Sequence, residues 1–246
     1  MEKEVKINPE SIVTNFRVEK FTYWTPDEAE SIYKLLPDSD KYQMADVYKE
    51  AFGGSPWYER FKCVGCKEFT ATDDICSNCE KTIFEEAYPT QQLVQEYFPK
   101  MLSKFTPGVL LTAKTGAETL GFCTGGFTTP KELIVKKYRG NTQILRSILL
   151  RSGLNPNDPM FYDNETCIRS DKQKKGVGGK LSQVRVDIAT ELGAGVICGR
   201  TINLPWLSLK ENQLREGGYD FLSFVPEGDR YEVNGVGRYF FIARKI

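Results

Sequence analysis

Short apolar runs alternate with longer amphipathic stretches along the chain, and the two periods divide it into strands and helices. Near the start, "NFRVEKFTYW" (15–24) is expected as a strand. Helical periods follow at 26–35 and 41–52, the second closed by Gly53, Gly54, Ser55 and Pro56. "TQQLVQEYFPKMLSKF" (90–105) sets Leu93, Tyr97 and Leu102 on one helical face, with Pro99 placed to kink or divide it. "GVLLTAKTGAETLGFCTGGF" (108–127) is two apolar runs joined across a Thr-Gly-Ala-Glu turn, a hairpin pattern. Residues 128–158 give two short helices, "KELIVKKY" and "TQILRSILLRSG", and a polar loop. A strand-like "MFYDNETCIRS" comes next, then a glycine cluster, then a helix from Lys180 carrying Leu181, Val184, Ile188 and Leu192. "GVICGRT" is a buried strand, "PWLSLKENQLRE" a helix opening on proline, and "YDFLSFV" and "GRYFFIARK" close the chain as strands. Strands mixed with helices in this order predict an α/β or α+β sheet with helices on both faces.

Composition narrows the chemistry. The 33 basic and 33 acidic side chains cancel, so no global field draws the protein to nucleic acid or membrane. The first ten residues are charged and no apolar run nears the length of a membrane span, which predicts a cytoplasmic protein. Histidine is absent. That excludes Ser-His-Asp and Cys-His catalysis and any imidazole metal ligand, leaving carboxylates, Tyr, Lys, Cys or water as acid or base.

Seven cysteines divide into two groups. Cys123, Cys167 and Cys198 lie singly in apolar runs, as small buried hydrophobes do. Cys63, Cys66, Cys76 and Cys79 form two C-x-x-C pairs nine residues apart. Four soft ligands on two such turns suit a tetrahedral Zn²⁺, with rubredoxin-like iron open on the same spacing and a redox-active C-x-x-C the competing reading, which the pairing of two turns disfavours. Such a metal is structural, a staple for an insertion at 61–83 too small for its own core. The insertion either only staples a loop or also shapes the substrate side. Phe52, Trp57, Tyr58 and Phe61 just ahead of it are either core or the wall of an apolar pocket.

"DKQKKGVGGKLSQVRV" (171–186) fits neither the dinucleotide fingerprint nor the P-loop, since its glycines fall at 176, 178 and 179. What remains is Q-x-x-G-x-G, from Gln173 through Gly176 to Gly178, at a helix entrance. Amides of such a turn make a partly positive seat for phosphate, with Lys174, Lys175 and Lys180 around it.

This motif, between a strand and a helix and followed by strand, helix, a Gly-Gly-Tyr turn and two strands, resembles the GNAT superfamily of N-acetyltransferases. The resemblance covers about residues 40–60 and 88–246, as one domain over 1–246 with the zinc-knuckle segment inserted in it. It implies a mixed, mostly antiparallel sheet, acetyl-CoA as cosubstrate and an amine acceptor, small molecule or protein. By that likeness Lys174, Lys175, Gly176, Val177, Gly178 and Gly179 hold the coenzyme's diphosphate beside Gln173 and Lys180. The backbone of Cys167, Ile168 and Arg169 pairs with the pantetheine arm, and this strand splays from "VICGRTIN" to admit the thioester. An acid on that strand serves as base. Asp163 and Glu165 are the candidates, placed on one face by alternation, where they could equally be a plain surface pair. Asn203 resembles the asparagine that opens the following helix, though it stands about a turn early. Leu214 occupies the place where many relatives carry a tyrosine acid, so no acid carries over there. The competing expectation is a catalytically idle body whose zinc knuckle binds protein or nucleic acid.

Overall fold

The computed structural model describes residues 15–54, 57–229, 232–233 and 236–246. The charged N-terminal stretch and Ser55 and Pro56 at the expected helix end lie outside the described residues. Strand β1 (Arg17–Tyr23) leads to α1 (Pro26–Leu35), which opens where Thr25 Oγ1 accepts the Glu28 amide and Pro26 occupies the first turn. Helix α2 (Asp38–Gly53) starts ahead of the expected Lys41 because Asp38 and Asp40 suit a helix N-terminus. Asp40 turns inward to pair with Lys114 of the sheet. Across the cysteine segment, β2 (Phe61–Cys63), β3 (Phe69–Thr70) and β4 (Phe84–Glu86) form a separate three-stranded sheet, ending at Glu86 rather than Ile83.

The expected helix at 90–105 is a composite of α3 (Thr90–Gln92), a π-helical turn at Leu93–Tyr97, and α4 (Phe98–Ser103). Pro99 falls in the first turn of α4 and has no N–H to return. The wide turn ahead of it absorbs the missing bond without breaking the helix. The Tyr33 hydroxyl donates to the Val94 carbonyl inside that turn at 2.8 Å.

Strands β5 (Gly108–Thr115) and β6 (Glu118–Thr128) form the expected hairpin. Helices α5 (Pro130–Tyr138) and α6 (Thr142–Ser152) follow, capped by Thr129 and Asn141. Then come β7 (Met160–Ile168), a 3-10 turn at Ser170–Lys172, α7 (Val177–Glu191), β8 (Val196–Thr201) and α8 (Leu204–Glu216). The chain ends with β9 (Tyr219–Phe224), a hairpin of β10 (Glu232–Val233) and β11 (Val236–Gly237), and β12 (Tyr239–Lys245).

Seven strands join in the order β1-β5-β6-β7-β8-β12-β9, antiparallel throughout except for β7 beside β8. Helices α7 and α8 cover one face, where Leu181, Val184, Ile188 and Leu207 pack on Val109, Phe161 and Phe241. On the other face Met44, Tyr48 and Phe98 cover Leu110, Phe122 and Cys167, while Leu133, Ile144 and Ile148 cover Tyr162, Cys198 and Phe240. The sheet is therefore mixed, mostly antiparallel and covered by helices on both faces, as expected. Cys123, Cys167 and Cys198 are fully buried within it.

One close approach ties the hairpin to the segment before it. A methyl group on Gly126 would fall on the Phe105 carbonyl oxygen, and backbone cannot step aside. Gly126→Ala should lower stability by about 1–3 kcal/mol, the usual cost of overpacking. Urea unfolding should show an earlier midpoint at unchanged slope.

Candidate active-site cleft and four-cysteine cluster

The parallel pair β7–β8 is short. Phe161, Tyr162 and Asp163 face Ile197, Cys198 and Gly199, and the ladder stops there although both strands run on. The strands part to open a cleft of about 640 Å³. Into it face Gln173, Lys174, Gly176, Gly178 and Gly179, the expected base candidates Asp163 and Glu165, and Asn203 at the start of α8.

The parting coincides with a β-bulge. Cys123 faces Thr166 and Gly125 faces Asp163, so β7 spends three residues where β6 spends two. The extra residue reverses the in–out alternation. Asp163 therefore points toward α7 and α8, and Glu165 toward α5. The expectation that the two acids share a face is overturned. A bulge has no signature in the alternation of side-chain types, and this one hides in the polar run Asp163-Asn164-Glu165.

Their surroundings differ as much as their directions. Asp163 is buried in ion pairs with Arg185 and Lys210, both of them also fully buried. Arg185 further donates to the Thr124 and Glu165 carbonyls at 2.8 and 2.9 Å and to Thr166 Oγ1 at 2.9 Å. With one oxygen on Arg185 and the other on Lys210, this carboxylate is not free to meet an incoming ammonium, and it locks α7 and α8 to the sheet. Glu165 instead meets Lys137 Nζ at 3.1 Å across the cleft. Burial pulls the Lys137 ammonium down to about 8, against the opposing pull of Glu165's charge. Nearby, the Tyr48 hydroxyl donates to that of Tyr97 at 2.9 Å. Burial, and after it Glu165's charge, push the Tyr97 phenol upward and keep it protonated.

The glycine turn is built for bare backbone. Gly176 caps α7 at φ +87°, a conformation that favours glycine, and offers no side chain to the helix amides. Lys180 N–H is the first to reach a helical carbonyl, that of Gly176 at 3.0 Å, so the amides of Val177, Gly178 and Gly179 precede the ladder. Gly178 packs between Ile168 and Trp206, each 3.4 Å from where a Cβ would sit. Ile168 lines the cleft. Cys167 instead turns its side chain into the opposite core, and the Arg169 amide bonds back to Leu120 of β6 at 3.0 Å. The Arg169 guanidinium pairs with Glu118 and Asp171. The side chains of Lys175, Val177 and Lys180 do not line the cleft: Val177 is buried in the core and Lys180 is exposed. Asn203 is the N-cap of α8 itself, its Oδ1 taking the Trp206 amide at 3.0 Å, so it is not a turn early. Leu214 is fully buried beneath the sheet and does not face the cleft.

Several lining residues carried no motif in the sequence. Lys137 comes from α5 and Arg200 from β8. Glu59 and Tyr88 flank the cysteine hairpin, and the Tyr88 hydroxyl donates to the Glu59 carboxylate. Phe52 and Trp57 also line the cleft, whereas Tyr58 is exposed and Phe61 lies under Arg60.

In the hairpin the same turn occurs twice. Lys67 and Glu80, each just after the second cysteine of a pair, have φ of +65° and +57°. Their amides return to the carbonyls of Cys63 and Cys76 at 2.9 and 2.8 Å, while the Cys63 and Cys76 amides reach Glu68 and Lys81 at 2.9 Å. The repeat brings all four Sγ atoms within 4.8 Å of one another, with Cys63–Cys79 at 3.5 Å and Cys66–Cys76 at 3.4 Å. A tetrahedral thiolate site with metal–sulfur bonds of ~2.3 Å has sulfur–sulfur edges of about 3.8 Å. The donor set fits that shape. The Glu68 amide holds the Cys66 thiol down at about 6, ready to ionise for a metal.

No protein-family model matches this chain, and no curated protein sequence does. Among solved structures it is similar to a mosquito arylalkylamine N-acetyltransferase-like protein (11% identity, TM-score 0.47, covering 94% of this chain and 100% of the other). It is also similar to a Drosophila melanogaster polyamine N-acetyltransferase (11%, 0.46, 94% and 100%). A Bacillus subtilis acetyltransferase in complex with CoA is a further likeness (18%, 0.39, 62% and 84%).

Proposed function

We propose that the protein is an N-acetyltransferase of GNAT type that moves an acetyl group from acetyl-CoA to an amine. One observation carries this. Two parallel strands part at a bulge, with a side-chain-free helix N-terminus on one side of the gap and a carboxylate among tyrosines on the other. The diphosphate takes the amides from Val177 to Gly179, with Lys174 beside them. The pantetheine arm lies along β7 past Ile168, and the thioester reaches the gap at Asn164 and Glu165. Glu165, directly or through water, takes the proton from the incoming ammonium. The neutral nitrogen then bonds to the acetyl carbon, the carbon–sulfur bond breaks, and the nitrogen's second proton passes to the departing sulfur, directly or through water, to leave a neutral amide and the free thiol. With Leu214 in the core, no side chain takes the tyrosine's place as acid on that turn.

The whole of 1–246 then forms one catalytic domain, and 61–83 is a staple within it held by Zn²⁺ on Cys63, Cys66, Cys76 and Cys79. The metal supplies a cross-link and no step of the reaction. No helix among the described residues is long and apolar enough to cross a membrane. Seven unpaired thiols suit a reducing cytoplasm.

Calorimetric titration with acetyl-CoA tests this reading. The wild type should bind in the micromolar range usual for cosubstrates. Gly178→Asp sets a carboxylate in the diphosphate seat and should weaken binding by about tenfold or more, one unfavourable charged contact. Equal affinities with the variant folded would reject the proposed seat. Binding by the wild type without turnover on any amine would favour the idle, knuckle-binding body.

A further inference from the structure

Four basic side chains line the cleft: Lys137, Lys174, Arg200 and Arg238. Lys137 pairs with Glu165, and Arg238 forms a two-pronged pair with Asp229. Lys174 belongs to the glycine turn. Arg200 is left on the opposite side of the gap with no carboxylate in ion-pair reach among the described residues. It is nonetheless held in place. One guanidinium nitrogen donates to the Lys137 carbonyl at 3.2 Å, and its planar group lies 5.1 Å from the Tyr138 ring centroid. A side-chain hydrogen bond to Tyr138 takes a second donor, which leaves three of its five N–H donors without a partner among the described residues.

The local charge is unbalanced too. Glu165 is the one carboxylate whose charge both Lys137 and Lys104 feel, and Arg200's charge adds to burial in pulling the Lys104 ammonium down. Three cations thus gather near one acid. A partly buried cation with an unfilled donor fork is costly unless an anion arrives to meet it.

Position says which anion. Arg200 follows Gly199, where the β7–β8 ladder ends, and Glu165 lies just past Asp163 on the facing strand. Both side chains point toward α5. Base and guanidinium therefore stand on facing strands just past the last paired residues, and both reach Lys137 of α5. We propose that the acceptor carries an oxyanion, carboxylate or phosphate, close to its amine, and that Arg200 grips this oxyanion while Glu165 takes the amine proton. This rests on the acetyltransferase reading for the amine but not for the anion. The acceptor's apolar body lies against Tyr48, Phe52 and Trp57, giving an amino-acid-like shape rather than a simple alkylamine.

Binding of product-like probes tests this without needing turnover. N-acetylphenylalanine, its amide, and its phosphonate counterpart are titrated in the presence of CoA into wild type, Arg200→Gln and Arg200→Lys. At least one acid should bind the wild type about ten- to a hundredfold tighter than the amide, as charged hydrogen bonds do. Which acid does so tells a carboxylate acceptor from a phosphorylated one. Arg200→Gln should erase the difference, and Arg200→Lys should keep part of it. The proposal is overturned if the amide binds as well as the acids, if no acid binds measurably, or if the preference survives in Arg200→Gln. Separate titration of acetyl-CoA keeps the outcomes apart, because its failure sinks the acetyl donor and leaves the oxyanion result standing.

Discussion

Replacing Cys63 and Cys76 together by serine should release the bound metal, unfold residues 61–86 and raise the acceptor KM by about tenfold or more, while acetyl-CoA affinity stays within about twofold. The first two effects follow from how little else holds the hairpin. Its buried apolar positions are Cys63 and Cys76 themselves, while Val64, Phe69, Ile75 and Ile83 stand exposed. Three strands of two or three residues cannot offset their ordering entropy. A structural Zn²⁺ contributes roughly 10–16 kcal/mol of apparent binding energy, far above any loss such a hairpin tolerates.

The third effect follows from where the hairpin is anchored. Strand β2 leaves from Glu59 and Arg60, and β4 returns at Ala87 and Tyr88. The Glu59 amide bonds the Phe52 carbonyl at 2.8 Å, and the Ala87 amide bonds that of Arg60 at 3.1 Å. Tyr88 stacks on Phe69 of β3 and packs edge-on against Tyr48. When the hairpin melts, Glu59 and Tyr88 lose their footing and the cleft loses one wall. The glycine turn is carried by α7, which packs on β5, β6 and β7 of the main sheet, and should bind coenzyme as before. Elemental analysis, hydrogen exchange and steady-state kinetics read the three effects separately. A metal-free, folded variant with an unaltered KM would reduce the hairpin to a staple. Metal content of zero in the wild type would remove the site.

Some of this was legible in the chain and some was not, for physical reasons. The glycine turn and the cysteine pairs could be read because their chemistry needs particular residue types at fixed spacing: bare backbone at Gly176, and two sulfurs per turn at Cys63/Cys66 and Cys76/Cys79. The sheet could be read from the two apolar runs of β5 and β6 and the 3.6-residue period of α7. The bulge at Asn164 could not, because a single added residue leaves composition unchanged while it sends Asp163 and Glu165 to opposite faces. The π-helical turn ahead of Pro99 is similar, since proline marks a disturbance without saying which way the backbone accommodates it. Lys137 and Arg200 are separated by more than sixty residues of chain and meet only through the β7–β8 pairing and α5. No local pattern announces such a meeting.

Glu165→Gln should lower kcat by about 10²–10⁴, the range for loss of a general base, with the melting temperature and acetyl-CoA affinity held. Glutamine keeps the size and a carbonyl that can still face Lys137, so the loss is one of proton acceptance. Lys137 gives the effect a pH signature. Its ammonium is drawn down to about 8. Below that pH it is charged and holds Glu165 in an ion pair that must open before the carboxylate can meet the incoming ammonium. Above it the pair dissolves and the carboxylate is free to turn to the acceptor. Turnover at saturating substrates should therefore climb through about pH 8 in the wild type, and Lys137→Met should remove that step while sparing any rise set by the acceptor's own amine. Stability should move in the same sense. A lysine drawn down from 10.5 to about 8 binds fewer protons folded than unfolded between those values, so its burial penalty is full below pH 8 and is relieved as the pH rises toward 10.5. The wild type should gain stability across that window relative to Lys137→Met. A kcat profile unchanged by Lys137→Met, or full activity in Glu165→Gln, would move the base elsewhere in the cleft. Asp163, locked between Arg185 and Lys210, could not replace it without dismantling the contact that holds α7 and α8 to the sheet.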